Sequence, residues 1–208
     1  MSTTRRNLLI GAGAVGAAAA IPGVQYGAWS MKDFTRDGYS PDVPPAPAGE
    51  AVWSNWSGIQ QATPRNIAVP ATDEALSEAI RSAQRVRPVG SGHSFTALVP
   101  SEDLIVDVSR LSGLAASDAT TGMATIGAGT RIRQAARELD AVGLALHNLP
   151  DVDVQTLAGS FSTSTHGTGR TLQALHSHIE GFRLVTADGT MRDVTAASDP
   201  DLFAAAKV

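Results

Sequence analysis

The chain has 208 residues, of which 43% are hydrophobic and 17% charged, so it holds enough apolar material for a folded core. Its formal net charge of -4 gives no electrostatic reason to expect a nucleic-acid partner. It contains no cysteine, which excludes disulfides, cysteine nucleophiles, thiolate metal sites and any cysteine-linked cofactor.

The chain begins with an apolar stretch that follows two arginines. Residues 11–16, with the letters GAGAVG, fit the G-x-G-x-x-G pattern of dinucleotide-binding loops, which needs a strand before it and a helix after it. Here Arg5 and Arg6 precede the pattern, and the uncharged run that contains it is short and ends near Gly23. These features are typical of an export signal of the twin-arginine variety. We therefore predict a twin-arginine signal over residues 1–28, with a nucleotide loop and an uncleaved membrane anchor as the alternatives.

Such a signal predicts export by the twin-arginine translocase to the periplasm or the cell exterior. Cargo of this translocase folds before export, usually around a cofactor inserted in the cytoplasm, so the signal also predicts a cofactor site further along the chain. Residues 29–50 contain four prolines and have the composition of an extended tether. Folded sequence is predicted over residues 51–208.

The folded part alternates short apolar runs with amphipathic stretches. A first strand is predicted over residues 67–70. A helix is predicted from its N-cap Thr72 to about Arg85, because Asp73 and Glu74 favour its first turn. The other predicted elements are strands over residues 87–90, 104–108 and 122–127, a helix capped by Thr130 and running to Val142, and a hairpin of residues 182–187 and 191–194 around Asp188-Gly189. This order predicts an α+β fold.

Two loops are rich in glycine and small hydroxyl side chains. In the first loop, residues 88–95 (PVGSGHSF), alternate glycines let successive N–H groups face a phosphate. The second loop, residues 156–169 (TLAGSFSTSTHGTG), offers uncharged donors around a diphosphate. Taken alone, each loop is a weak signal: the first is also compatible with a plain turn between strands, and the second with an exposed flexible loop. No metal site is predicted, and three histidines are predicted to be structural: His147, His176 and His178.

In their order along the chain these motifs resemble the PCMH-type FAD-binding domain of the vanillyl-alcohol-oxidase superfamily, in the branch of the sugar-lactone and alditol oxidases. Residues 53–58 (WSNWSG) resemble its opening N-W motif, residues 89–95 its V-G-x-G-H-S-F loop, and residues 156–169 its T-x-T-H-G-t-G loop. Further similar segments are residues 64–80, 128–130, 144–150 and 184–189. The resemblance covers residues 51–208. It implies an α+β domain of two subdomains with short mixed and antiparallel sheets and flanking helices.

The resemblance implies that the two loops hold the diphosphate and ring edge of FAD. It also implies a covalent bond from His93 to the 8α carbon of the flavin, with a noncovalent flavin packed against His93 as the alternative. The absence of cysteine excludes a double linkage through histidine and cysteine. The predicted cofactor-binding residues are Pro88, Val89, Gly90, Ser91, Gly92, His93 and Ser94 in the first loop and Thr156, Gly159, Thr163, Ser164, Thr165 and His166 in the second.

The activity implied is oxidation of a CH–OH group of a sugar lactone or alditol. Hydride would pass to N5 of FAD, with O2 as acceptor, giving hydrogen peroxide, or with a respiratory acceptor instead. Gly167 follows the Thr165-His166 pair where mammalian-type lactone oxidases have Asn, which favours bacterial polyol or aldonolactone substrates without deciding between them.

Family members continue past the position of Val208 into a substrate domain, where the catalytic residues are expected. The sequence is therefore interpreted as a fragment or a short gene product that does not turn over substrate by itself. The alternative class is a noncatalytic flavin- or nucleotide-binding module, or a degenerate remnant of such a domain.

Overall fold

The computed structural model describes residues 52–207, so the predicted signal and tether lie outside the described residues. Within that range the chain is α+β, as predicted, with four small sheets and four short helices. No helix there is long and apolar enough to span a membrane. The strands are β1 (Trp53–Ser54), β2 (Gln61–Ala62), β3 (Asn66–Ala68), β4 (Val86–Val89), β5 (Leu104–Asp107), β6 (Leu114–Asp118), β7 (Met123–Ile126), β8 (Gly181–Val185) and β9 (Met191–Thr195). The helices are α1 (Asp73–Arg81), α2 (Ile132–Asp140), α3 (Leu157–Phe161) and α4 (Pro200–Ala205).

A three-stranded parallel sheet places the first loop. Its strand order is β3-β5-β4, and Ile105 in the central strand pairs with Ile67 on one side and Arg87 on the other. The central strand is a continuous apolar run that is buried throughout Leu104, Ile105 and Val106, as expected for a parallel strand covered on both faces. β4 ends at the buried Val89, so the first loop leaves the carboxyl end of a parallel strand, where ligands of such sheets commonly bind.

The first helix starts as predicted and ends early. Thr72 is its N-cap, and its hydroxyl accepts a backbone N–H at 3.2 Å. The helix stops at Arg81 rather than near Arg85, because the Asp103 carboxylate accepts the N–H groups of Gln84 (2.7 Å) and Arg85 (2.8 Å) and draws this segment into β4. These hydrogen bonds hold the pKa of Asp103 below its usual value, and the bond from Arg85 has the largest effect.

The predicted cap of the second helix is wrong. The Thr130 hydroxyl donates to the carbonyl of Gly127 at 2.7 Å and accepts the N–H of Gly113 at 2.8 Å, so it joins the two ends of the β6–β7 hairpin. α2 instead begins at Ile132, without a side-chain cap. Gly143 follows its last turn with a φ of +76°, a conformation that favours glycine, which fits the predicted stop.

The core beside the second loop is formed by four buried side chains. Ile132 and Ala135 of α2 pack with Leu157 of α3 and with Leu175 in a 3₁₀ turn. Burying a side chain the size of leucine or isoleucine contributes about 1.5–3 kcal/mol. The start of α3 is therefore fixed to the core by its own first residue.

The predicted hairpin is confirmed as β8 and β9, which pair antiparallel with Phe182 opposite Val194. In its turn the Asp188 carboxylate accepts the hydroxyl proton of Thr186 at 2.5 Å and the N–H of Thr190 at 2.9 Å. These hydrogen bonds lower the pKa of Asp188 from 3.8 to about 2, and the bond from Thr186 has the largest effect.

Acid should loosen this hairpin. Because the folded pKa of Asp188 lies below its ordinary value of 3.8, its contribution to stability is complete above that pH and is lost as the pH falls through about 2. The protection factors of the β8 and β9 amides, which correct for the intrinsic pH dependence of exchange, should therefore fall over this interval. Asp188→Asn should flatten the pH dependence of hairpin stability, whereas Asp151→Asn should retain it. Equal pH profiles for Asp188→Asn and the unchanged chain would contradict the assignment.

Candidate cofactor site

The two predicted loops meet at Gly90 and Thr156. A Cβ added to Gly90 would overlap the Thr156 hydroxyl oxygen and lie 3.0 Å from the Thr156 Cβ and Cγ2. Thr156 is buried, and the neighbouring Ser91 hydroxyl donates to the carbonyl oxygen of Val154. The Thr156 side chain thus packs directly against the backbone of the first loop, and this close approach requires glycine at position 90.

The first loop is fastened to the segment that carries the N-W motif. The N–H of Trp56 donates to the carbonyl of Gly92 at 3.1 Å, and the Asn55 side chain donates to the carbonyl of Ser94 at 2.9 Å. Gly92 has a φ of +60°, and this turn of the backbone places His93 between the two bonded carbonyls. Sequence reasoning assigned no role to Asn55, whose partner lies 39 residues away.

His93 is half-buried and lies against an aromatic ring. Its imidazole stacks on the indole of Trp56, with ring centroids 4.5 Å apart and planes within 6°. Phe95 meets the same indole edge-on, at 5.2 Å and 69°. The side chain on which the predicted covalent bond depends is therefore held in a defined orientation.

The second loop, predicted as a loop over residues 156–169, begins with the short helix α3. The Thr156 side chain caps α3 by accepting the N–H of Gly159 at 3.3 Å. The first two N–H groups of the helix donate to the carbonyls of Thr130 (2.8 Å) and Ala128 (3.0 Å). Protein acceptors therefore occupy the start of α3, and a bound diphosphate would take its donors from other parts of the two loops.

A turn of hydroxyl side chains follows α3. The Thr163 hydroxyl donates to the carbonyl of Gly159 at 2.9 Å, and that of Thr165 to the side chain of Gln155 at 3.0 Å. Ser164 between them has a φ of 50°, a left-handed conformation that residues other than glycine, asparagine and aspartate rarely adopt. Such backbone strain is common at ligand-binding sites.

Together the loops form a cradle of close-packed backbone and hydroxyl groups with no Asp, Glu, Lys or Arg from residue 88 to 95 or from 156 to 165. A model of the FAD binding domain matches residues 64–195 of the chain. The chain belongs to this FAD-binding domain family.

Two relatives of this FAD-binding domain are named as enzymes that oxidise sugar lactones. L-gulono-1,4-lactone dehydrogenase from Mycobacterium tuberculosis is 38% identical over 161 residues, which are 76% of this chain and 37% of the relative. D-arabinono-1,4-lactone oxidase from Eremothecium gossypii is 31% identical over 163 residues, which are 74% of this chain and 31% of the relative. The chain thus spans about a third of the length of these relatives.

Solved structures confirm the predicted PCMH-type fold. 6-Hydroxy-D-nicotine oxidase from Arthrobacter nicotinovorans superimposes with a TM-score of 0.68 over 79% of this chain and 40% of its own, at 19% identity. A chitooligosaccharide oxidase superimposes with a TM-score of 0.63 over 70% of this chain and 32% of its own, at 21% identity. At this identity the likeness establishes the fold of the domain.

The cradle of this FAD-binding domain fits the cofactor by its chemistry. Glycine at position 90 lets the Thr156 side chain lie against the first loop, and the hydroxyl of Ser94, which accepts the N–H of Thr96 at 3.2 Å, keeps its own proton to donate to a phosphate oxygen. Among residues 52–207 no cluster of histidine and acidic side chains could hold a metal ion. The charged groups with shifted pKa values lie outside both loops: Asp103, Asp118, His178, Arg183 and Asp188.

Packing accounts for Gly167, which sequence analysis connected with the substrate class. A Cβ at this position would overlap the side-chain oxygen of the buried Asn148 and the carbonyl oxygen of Leu149. The preceding His166 is exposed, and its Nδ1 lies 2.8 Å from the carbonyl oxygen of Gly167. In this chain glycine is thus required at position 167 by the packing of Asn148 and Leu149 against it.

The three histidines predicted to be structural lie outside both loops. His147 and His178 stack on each other with centroids 4.0 Å apart and planes within 2°. Partial desolvation, and then the neighbouring His147, lower the pKa of His178. Nδ1 of His176 is buried, and within residues 52–207 it has no hydrogen-bond partner.

Proposed function

We propose that this FAD-binding domain is the cofactor-binding part of an oxidoreductase that oxidises a CH–OH group of an aldonolactone or an alditol. The single observation that carries the proposal is the contact of Gly90 with Thr156, which joins the two loops into one cradle within the segment that matches the family. The names of the relatives support lactones as the substrate class. When bound, FAD would supply the hydride acceptor and a route for the electrons to O2 or to a respiratory acceptor.

The part of the chain in this reaction is to bind and orient the cofactor. Gly90 and Thr156 keep the loops adjacent, and the Ser91 bond to Val154 holds the first loop against the residues before α3. Thr163 and Thr165, whose hydroxyl oxygens lie 3.3 Å apart, line the second loop. No described residue is assigned as the base that accepts the proton of the substrate hydroxyl.

Attachment of the flavin through His93 is the second part of the proposal. The stack on Trp56 supports it, because an imidazole that is held in one plane presents its ring nitrogens in fixed directions. His166 is the other histidine of the two loops, and its Nδ1 already contacts the carbonyl of Gly167. A noncovalent flavin beside His93 is the competing outcome.

FAD titration of the chain tests the cofactor assignment. The chain produced with ample flavin should hold one FAD per molecule after gel filtration, measured by its visible absorbance against protein concentration. Excess NAD should not displace it. A colourless protein that binds no added FAD would instead support the degenerate remnant, and displacement by NAD would support a general nucleotide-binding module.

Substrate class is best tested on the protein purified from its native cells. Under anaerobic conditions L-gulono-1,4-lactone, D-arabinono-1,4-lactone or xylitol should bleach the visible flavin absorbance. Formation of hydrogen peroxide when O2 is admitted would identify an oxidase. If no peroxide forms but a respiratory acceptor reoxidises the flavin, the protein is a dehydrogenase. Failure of all three compounds to bleach a loaded protein would contradict the proposed reaction.

We also propose that residues 1–28 direct the protein through the twin-arginine translocase, on the sequence pattern alone. Fused to a reporter, they should deliver it outside the cytoplasm, and Arg5→Lys with Arg6→Lys should stop this delivery. Export that persists in the double variant would contradict a twin-arginine signal.

A further inference from the structure

Residues 55 and 56 hold the backbone on both sides of His93. The N–H of Trp56 binds the carbonyl of the residue before His93 at 3.1 Å, and the side-chain amide of Asn55 binds the carbonyl of the residue after it at 2.9 Å. Asn55 is itself fixed, because it is buried and its side-chain oxygen accepts the N–H of Gln60 at 3.1 Å and the hydroxyl proton of Ser57 at 3.2 Å. Both bonds come from one rigid dipeptide, so the position of His93 is set by a segment outside its own loop.

The ring of Trp56 adds a third restraint, which acts on the imidazole itself. Its indole covers one face of the His93 ring at 4.5 Å in a nearly parallel stack. Phe95 packs edge-on against the same indole at 5.2 Å, which keeps the indole from turning away. Any rotation of the His93 ring about its χ2 axis other than a half-turn would break this stack, so the plane that contains its ring nitrogens follows from the plane of the indole.

We infer that Trp56 is a positioning residue for covalent flavin attachment, because it sets the plane in which a ring nitrogen of His93 approaches the 8α carbon. This inference rests on the attachment proposed above. Attachment replaces one C–H bond of the 8α methyl group and the N–H bond of the imidazole by one C–N bond. The two electrons and two protons released pass to O2, giving hydrogen peroxide.

Removal of the indole should slow attachment much more than it weakens FAD binding. Trp56→Leu leaves the hydrogen bond from the backbone of residue 56 in place but removes the surface that orients the imidazole. Since a small misplacement of a reacting group can cost about 100-fold in rate, we expect attachment in this variant to be about 10- to 100-fold slower. Trp56→Phe retains an aromatic face and should recover most of the rate.

The experiment adds FAD and O2 to flavin-free protein and follows two quantities. Total FAD is measured after gel filtration, and attached FAD as the flavin that stays with the protein after acid precipitation. Phe182→Leu is the matched control, since it removes a ring that stacks on Phe203 at 6.0 Å rather than on His93. It should attach flavin at the rate of the unchanged chain.

A mutation-free measurement tests the stack directly. In the unchanged chain the ring current of Trp56 should shift the NMR signals of the His93 ring protons upfield of those of the exposed His166. His93 signals at ordinary positions would overturn the inference, even if Trp56→Leu does not fold.

The outcomes separate the two proposals. Equal attachment rates in the unchanged chain and in folded Trp56→Leu contradict the role of Trp56 and leave attachment at His93 standing. Bound but wholly acid-labile FAD in the unchanged chain contradicts the covalent attachment and, with it, this role of Trp56. Slow attachment in Trp56→Leu with normal total FAD, together with recovery of the attachment rate in Trp56→Phe, supports both the attachment at His93 and the role of Trp56.

Discussion

His93→Ala should remove all acid-stable flavin from the FAD-binding domain. Only two histidines lie in the two loops, and of these His93 is half-buried with its ring held by Trp56, whereas His166 is exposed and its Nδ1 contacts a backbone carbonyl. A placed ring nitrogen is what nucleophilic attachment requires. Flavin fluorescence of the denatured protein on a gel measures the result.

Two alanine variants make this measurement specific. His166→Ala changes the other loop histidine and His147→Ala changes a ring that stacks on His178, so both should retain the attached flavin. The His93→Ala protein should still bind FAD reversibly, because the cradle formed by Gly90 and Thr156 is unchanged. If His166→Ala loses the acid-stable flavin and His93→Ala retains it, the attachment site is His166 in the second loop and not His93.

Gly90→Ala should destabilise the domain by about 1–3 kcal/mol, the usual cost of overpacking a filled site. The added methyl group would overlap the hydroxyl oxygen of Thr156, a buried side chain that caps α3. Relief of this overlap requires the two loops to separate. We therefore also expect weaker FAD binding, measured by titration beside urea unfolding.

A double-mutant cycle isolates the contact between the loops. Thr156→Ala alone should cost about 1 kcal/mol through the lost helix cap. Combined with Gly90→Ala it removes the hydroxyl that the new methyl group would meet, so the double variant should be more stable than the sum of the single effects implies by about 0.5–3 kcal/mol. Additive free energies of unfolding would contradict the packing of position 90 against Thr156.

Features with a strong local signal could be predicted from the sequence. The apolar run of β5, the Thr72 cap and the Asp188-Gly189 turn each depend on residues close in the chain, and all three are present. By contrast, β6 was missed because four of its five residues are exposed and show no alternation of apolar and polar side chains. The local sequence pattern was therefore enough to predict an element when the residues that stabilise it are close to it in the chain.

Features set by distant contacts could not be predicted. The sequence of α3, LAGSF, has low helix propensity, and the helix exists because Leu157 is buried in the core and Thr156 caps it. Thr130 resembles a cap in sequence, but its hydroxyl is used between Gly113 and Gly127. The two loops were identified by composition and resemblance, whereas the contact of Asn55 and Trp56 with the first loop becomes visible only in the fold.

The hydrogen bonds that assemble the cradle join residues far apart in the chain: Ser94 lies 39 positions after Asn55, and Val154 lies 63 positions after Ser91. Contacts of such separation are costly to form, because the entropy of the intervening chain is lost when they close. A growing polypeptide that ends before Val154 lacks one side of the cradle. FAD therefore selects chains that have completed their folding, and by mass action it shifts the folding equilibrium further toward them.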